Sequence, residues 1–292
     1  MRKQFIKTVE QLLQINNKLT LLLGDIGVFG FRNSLECLPS RAYNIGILEQ
    51  STIGLAAGLS KTGLIPIVHT IAPFMVERAY EQLKIDFGYQ KLSGNFVSIG
   101  SSYDYCELGP THHCPGDIPI LKNIPNFQLI IPGNSIEFDH LFNYYYNNGL
   151  PNYFRLSDFE NKTEVEFTPG KAKVIRKGKD GTLISIGNTL DTILEATKQM
   201  DITILYYNVV VPFDFECLTE NFNENIILCE PYYVGALNYE ITNSFIDKKI
   251  RILNIGVPKT FSDNFGSKLE NDKILELDVD SIKQKIYKFL ND

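Results

Sequence analysis

The stretch AYNIGILEQSTIGLAAGLSKTGLIP, residues 42–66, places one acid, Glu49, at the start of a segment built mainly from isoleucine, leucine, alanine and glycine. After the short run Ala42 to Ile45, Gly46 turns the chain and a helix begins, so Glu49 falls in its first turn. The helix dipole tolerates an anion there, which is one sufficient reason for an acid. A carboxyl group in that place can also hold and share a proton. Further along, Gly54, Ala57 and Gly58 put small side chains at i, i+3 and i+4, a face that another helix can approach closely. Ligands of α/β proteins gather at the carboxyl ends of strands, where this acid sits. An acid there, beside a flat contact face, points to a site made at a subunit interface. A second group lies in CELGPTHHC, residues 106–114, where His112 and His113 follow a GPT turn. A loop histidine is ordinarily solvated or capping, but two together favour a role at a site. Thiolates and imidazoles also suit zinc, although the spacing of Cys106, His112, His113 and Cys114 fits no common zinc motif.

The elements that must position these residues are legible as runs apolar on both faces, at 19–27, 64–71, 95–101, 127–133, 182–187, 202–210, 225–231 and 251–257. Such runs are buried parallel strands. Helix-like segments lie between them at 47–62, 73–91, 135–148, 189–199, 233–246 and 279–290. The alternation predicts an α/β fold of two domains, each a mostly parallel sheet flanked by helices. Charge rises, and glycine and proline punctuate, around residues 158–181, which sets the domains at 1–165 and 166–292. A chain of 292 residues can bury cores of that size.

The formal charge of -6 comes from intermixed acids and bases, with no clustered basic patch to capture a nucleic acid. No run of about 18 apolar residues offers a membrane span. Residues 1–17 open MRKQF and lack the apolar core of a signal peptide. Five cysteines, odd in number and without a CxxC pair, read as reduced thiols of a cytoplasmic protein.

The stretches NIGILEQSTIGLAAGLSKTG (44–63), HTIAPFMVERAYEQLKID (69–86), GPTHH (109–113), IPNFQLIIPGNSIE (124–137), PFDFECL (212–218), CEPYYVGALNYEI (229–241) and IGVPKTF (255–261) together resemble transketolases and the related deoxyxylulose-phosphate synthases. The resemblance runs in order over nearly the whole chain. It implies a thiamine diphosphate pyrimidine-binding domain followed by a C-terminal transketolase domain, and transfer of a two-carbon ketol unit between small sugars. Glu49 matches the family acid that hydrogen-bonds the cofactor's aminopyrimidine and so lets the cofactor deprotonate its own thiazolium carbon. Phe74 matches an aromatic packed on the pyrimidine, a place that plain core packing would also explain. Ile71 stands where many relatives carry another aromatic. Asp25 in GDIG matches an acid near the pyrimidine, or is simply a turn residue. His112 matches a histidine that contacts substrate oxygens, with His113 beside it. Arg78 matches, and Arg155 and Arg2 lie near, arginines that face substrate phosphate. A guanidinium fork fits that anion, though each alone could equally serve an ion pair.

Complete transketolases carry ahead of these domains a diphosphate-binding domain, with a GDG motif and a later asparagine holding magnesium. The sequence has no such arrangement, and a divalent ion is needed against the diphosphate. The expectation is a split enzyme, with Mg2+ ligands on a separate partner subunit and an α2β2 assembly. Three departures bear on substrate. Leu108 replaces a substrate-reading acid, leaving Glu107 beside it; Asp158 in LSD stands in place of a phosphate-gripping arginine; an upstream histidine falls near Gly100. An aspartate repels a phosphate dianion, so sugar-phosphate recognition is altered and a donor or acceptor outside the usual pentose phosphates is expected. Two alternatives stand beside this one: the beta subunit of a 2-oxoacid decarboxylase, which opens with a stretch like GDIGVFG, and a non-catalytic assembly subunit of the same fold.

Overall fold

Chain segments buried on both faces can only lie in the middle of a layered structure, and in this computed structural model, which describes residues 1–292, they do so in two sheets. The first takes β1 (Leu19–Leu23), β2 (Ala42–Asn44), β3 (Ile65–Ile71), β4 (Gly94–Ile99), β5 (Gln128–Ile130) and β6 (Pro151–Arg155). The second takes β7 (Lys173–Arg176), β8 (Thr182–Ile186), β9 (Thr203–Tyr207), β11 (Asn225–Tyr233) and β12 (Arg251–Val257), while β10 (Val209–Val211) crosses back to the first. The orders are β10-β5-β6-β4-β3-β1-β2 and β12-β11-β8-β9-β7. Every pairing is parallel except β10 with β5 and β7 with β9, the two antiparallel edges. The α/β class and the mostly parallel sheets are as the alternation predicts. No helix is long and apolar enough to cross a membrane.

Several elements differ from the sequence reading, each for a local reason. The run 202–210 splits at Asn208, because β10 leaves its sheet to cover the edge of β5. The segment 73–91 is broken into helices Ala72–Val76 and Tyr80–Gln82 and a π-helical stretch Leu83–Tyr89. β11 runs on to Tyr233, and the following helix begins only at Asn238, after a turn at Gly235 with φ +81. β6 carries no apolar signature, since it reads PNYFR, yet all five residues are buried. Its proline is the first residue, where a missing N–H is tolerated. Its Asn152 amide donates to Asn95 Oδ1 at 3.1 Å and to the Tyr145 carbonyl at 3.0 Å.

The largest apolar cluster runs through both sheets, from Leu22, Val68 and Phe96 to Leu228, Tyr232 and Phe245. Polar contacts bind the same seam: Tyr206 Oη donates to Glu137 Oε2 at 2.7 Å, and the Gly133 N–H donates to the same oxygen at 2.8 Å. The carboxyl ends of β1 to β4 consequently open on one edge of the first sheet, and from them continue the segments that carry Asp25, Glu49, Phe74 and His112.

The N-terminal helix Arg2–Ile15 seals this edge from one side, with Phe5, Val9, Leu12 and Leu13 buried. Phe5 packs on His69 of β3, ring centroids 4.6 Å apart. Burial first, and the charge of Arg2 in addition, lower the His69 pKa to about 4, while Nδ1 contacts the Val97 carbonyl at 2.8 Å. His69 is therefore folded neutral, and stability falls as pH drops below its unfolded value of 6.5 toward 4. His69→Gln should remove about 2 kcal/mol of the stability difference between pH 7 and pH 5, measured by urea unfolding at both. An unchanged difference would refute the assignment.

Candidate active site

Glu49 is the first residue of the helix Glu49–Lys61, and the sequence gives that helix its start: Gly46 takes φ +83, and the Leu48 carbonyl accepts from Thr52 Oγ1 at 2.9 Å. The carboxylate is buried to 4 % exposure although Ile47 and Leu48 beside it are mostly exposed. Its Oε2 accepts from Arg78 Nη1 at 2.7 Å, and its Oε1 is buried with no hydrogen-bond partner. An orphaned buried carboxylate oxygen is costly, and such groups mark a missing ligand more often than a defect.

Around it the structure gathers a continuous series of groups. The Arg78 guanidinium lies 4.2 Å over the Phe74 ring, and the Phe74 ring meets His112 edge to face at 5.3 Å. His112 in turn faces Tyr105 at 6.4 Å, and its Nδ1 contacts Thr111 Oγ1 at 2.9 Å. Tyr105 carries no sequence signal of its own. It fills the room that Gly100 leaves: a Cβ at Gly100, φ +74, would stand 2.4 Å from the Tyr105 ring and 3.3 Å from Ile71 Cγ2. Burial and the negative charge of Asp158 push the Tyr105 hydroxyl up to about 12, against a lowering by Arg2. Arg2 and Asp158 thus flank one tyrosine with opposite charges.

Asp25 sits at φ +62, and its exposed carboxylate accepts from Asn44 Nδ2 at 3.1 Å, while its own N–H donates to Asn44 Oδ1 at 3.1 Å. Asn44 Oδ1 also accepts from the Gly46 N–H at 3.2 Å, so one amide ties the GDIG loop to the turn that launches Glu49. Sequence reasoning misses Asn44; an asparagine two residues before a turn glycine is the available signal. Glu107 and Leu108 are exposed on the loop before His112.

Three expectations need correction. Arg155 does not offer its charge to a ligand: it is buried, its Nε donates to Asp117 Oδ2 at 2.7 Å, and its Nη2 donates to Ser102 Oγ at 2.7 Å and to the Pro231 carbonyl at 3.1 Å. It holds the two halves together. His113 turns away from His112 and lines a separate cavity of about 70 Å³ with Glu77, Tyr233 and Phe261; burial lowers its pKa. Arg78 is engaged with Glu49 and Phe74 instead of standing free for a phosphate. The zinc reading also falls, because Cys106 Sγ donates to the Tyr103 carbonyl, Cys114 Sγ points at Glu77, and the two histidines diverge. A cavity of about 270 Å³ between the halves, lined by Asp104, Arg155, Glu230 and Lys268, contains neither Glu49 nor Phe74.

A buried acid with one unpaired oxygen beside an aromatic wall suits a flat nitrogen heterocycle, with the carboxyl group at its edge and Phe74 at its face. The chain belongs to the transketolase family, and the model for the transketolase pyrimidine-binding domain matches residues 1–159. More particularly, it is similar to the C-terminal or β chains of split transketolases. One chain of the two-part apulose-4-phosphate transketolase of Actinobacillus succinogenes is 33% identical over 62% of this chain and 61% of its own length. An uncharacterised protein of the fasciation locus of Rhodococcoides fascians is 34% identical, over 98% of this chain and 93% of its own. A solved structure described as a split gene transketolase, inactive β4 tetramer, has the same fold, with TM-score 0.85 at 24% identity over 99% of this chain and 97% of that one.

The structural role of Arg155 is testable. Asp117→Ala, which strands a buried guanidinium, should cost about 3–5 kcal/mol in urea unfolding. The double change Asp117→Leu with Arg155→Met should recover much of that loss; loss of stability below about 1 kcal/mol for Asp117→Ala would overturn the assignment.

Proposed function

We propose that this chain is the pyrimidine-binding and C-terminal subunit, with domains at 1–165 and 166–292, of a split thiamine diphosphate-dependent enzyme that transfers a two-carbon ketol unit between carbonyl compounds. The observation that carries this reading is the buried Glu49 carboxyl group, half of it unpartnered, at a helix start in a chain of this family. The cofactor's diphosphate and Mg2+ are assigned to a partner subunit, and the assembly to α2β2. The relative described as a tetramer of β chains is called inactive, which suits a site completed by another chain. Five free thiols suit a reducing compartment, and the proposal sets the enzyme in the cytoplasm.

When bound, thiamine diphosphate supplies a carbon nucleophile and a sink for the electron pair released on carbon–carbon cleavage. Glu49 Oε1 would hold a proton at the heterocycle's ring nitrogen. Phe74 and Ile71 would wall the ring and exclude water. Asp25, fixed by Asn44, would close the edge near the β1 end. His112, with Nδ1 against Thr111, keeps Nε2 available to a substrate oxygen. The far end of the site carries Arg2 and Asp158 about Tyr105, a mixed pair in place of the two cations a phosphate dianion prefers. The substrate we infer is accordingly a sugar outside the usual pentose phosphates. The Actinobacillus relative is named for apulose 4-phosphate, which is compatible with an unusual sugar.

Glu49→Gln in the reconstituted two-subunit enzyme should lower turnover on the order of 10²–10⁴-fold while co-purification with the partner is unchanged. Unchanged turnover would leave only a scaffold role. Asp158→Arg should raise kcat/KM for xylulose 5-phosphate by about tenfold, a gain typical of one charge-assisted contact of ~1.4 kcal/mol, and no gain would remove Asp158 from substrate selection.

A further inference from the structure

Arg78 is held by two groups that the proposed function gives to the cofactor. Its guanidinium is flat, stacks on the Phe74 ring at 4.2 Å, and presents an N–H to the Glu49 carboxylate at 2.7 Å. A flat nitrogen heterocycle would ask the same two things of the same two residues: a ring to lie on and a carboxyl group at its edge. The arginine satisfies them imperfectly. Glu49 Oε1 stays without a partner, and the Arg78 side chain is still 43 % exposed, whereas that of Glu49 is 3 % exposed. A partly solvated cation pairs weakly and leaves readily. The sequence supplies both the reach and the release: Phe74 lies in the short helix Ala72–Val76, Arg78 follows that helix's end, and the chain is irregular until Tyr80. A side chain rooted in such a segment can swing outward without breaking a long helix.

We propose that Arg78 is a placeholder for the cofactor's heterocycle. In the chain without cofactor it partners the buried carboxylate and covers Phe74, and it must leave when the ring arrives. The inference rests on the functional reading above and adds to it a competition inside this chain. A binding-competent state that is only partly populated lowers apparent affinity by its population, so removing the competitor tightens binding. A direct cofactor ligand behaves in the opposite way, since its loss weakens binding.

The test has two arms. In the chain purified alone, Arg78→Gln leaves a buried carboxylate unpaired and should lower Tm by about 2–4 °C, and adding Glu49→Gln should restore it. Strict additivity of the two changes would overturn the contact. In the complex with its partner, thiamine diphosphate with Mg2+ is titrated by calorimetry. Arg78→Gln should bind about fivefold more tightly than wild type, and Glu49→Gln more weakly. Unchanged or weaker binding by Arg78→Gln, with wild type binding normally, defeats the placeholder and leaves the functional reading intact. A wild-type complex that takes up no thiamine diphosphate defeats both.

Discussion

The structure is organised around a carboxylate that the fold buries and does not fully satisfy. Burying an ionisable group costs several kcal/mol unless hydrogen bonds replace water, and a helix start returns only about 0.3–1 kcal/mol of that. Glu49 receives one guanidinium proton on one oxygen and nothing on the other. The turn before it depends on Gly46 and on Asn44, whose side chain also fixes the Asp25 loop. Three neighbouring strand ends are thus committed to holding one acid in a fixed direction. A fold that needed only stability could have placed a serine or an exposed aspartate there at no cost.

The surface around the acid is unfinished in the same sense. Gly54 and Gly58 are exposed on the helix that Glu49 opens, and each costs roughly 1 kcal/mol relative to alanine. Nothing within the chain requires them: a Cβ at Gly58 would meet no atom within 4 Å, and at Gly54 only Asp86 Oδ2 at 3.9 Å. Gly100 differs, since Tyr105 occupies the space its side chain would need. Ile47, Leu48 and Leu55 lie exposed near the two helix glycines. Small residues that no internal neighbour demands, set among apolar ones that no internal neighbour covers, are explained by close approach of another chain.

What the sequence reveals follows the physics of each signal. Runs such as LTLLL and TLISI are apolar on both faces because their strands are buried on both, so the central strands are readable. β6 is not, because its asparagine and arginine are made tolerable only by Asn95, Asp117 and Ser102, partners far away in sequence. For the same reason Arg155 looks in sequence like a ligand-binding cation: one residue type serves a phosphate or a buried aspartate, and the choice is made by tertiary contacts. Glu49 is legible because its conflict is local, an acid among residues that have no use for one. His112 and His113 are legible as a pair but not as two directions, since the turn that separates them depends on Gly109 at φ 69 within the loop.

The departures from the family pattern fall at one end of the site. Glu49, Phe74 and His112 follow the pattern and make a connected series, the last two in ring contact. The changes, Gly100 with Tyr105 in its space, Leu108 and Asp158, lie beyond His112, where a substrate's far end would reach. Tyr105 replaces volume at Gly100 from a different point on the chain, so the cavity wall stays filled while its chemistry changes from an imidazole to a phenol that remains protonated at neutral pH. Asp158 and Arg2 then offer that phenol an acceptor field on one side and a donor field on the other. A hydroxyl-bearing group is better matched to such a surface than a dianion, because it can both give and take a hydrogen bond. The chemistry at the cofactor end can stay as it is while recognition at the far end moves, because His112 separates the two and contacts both.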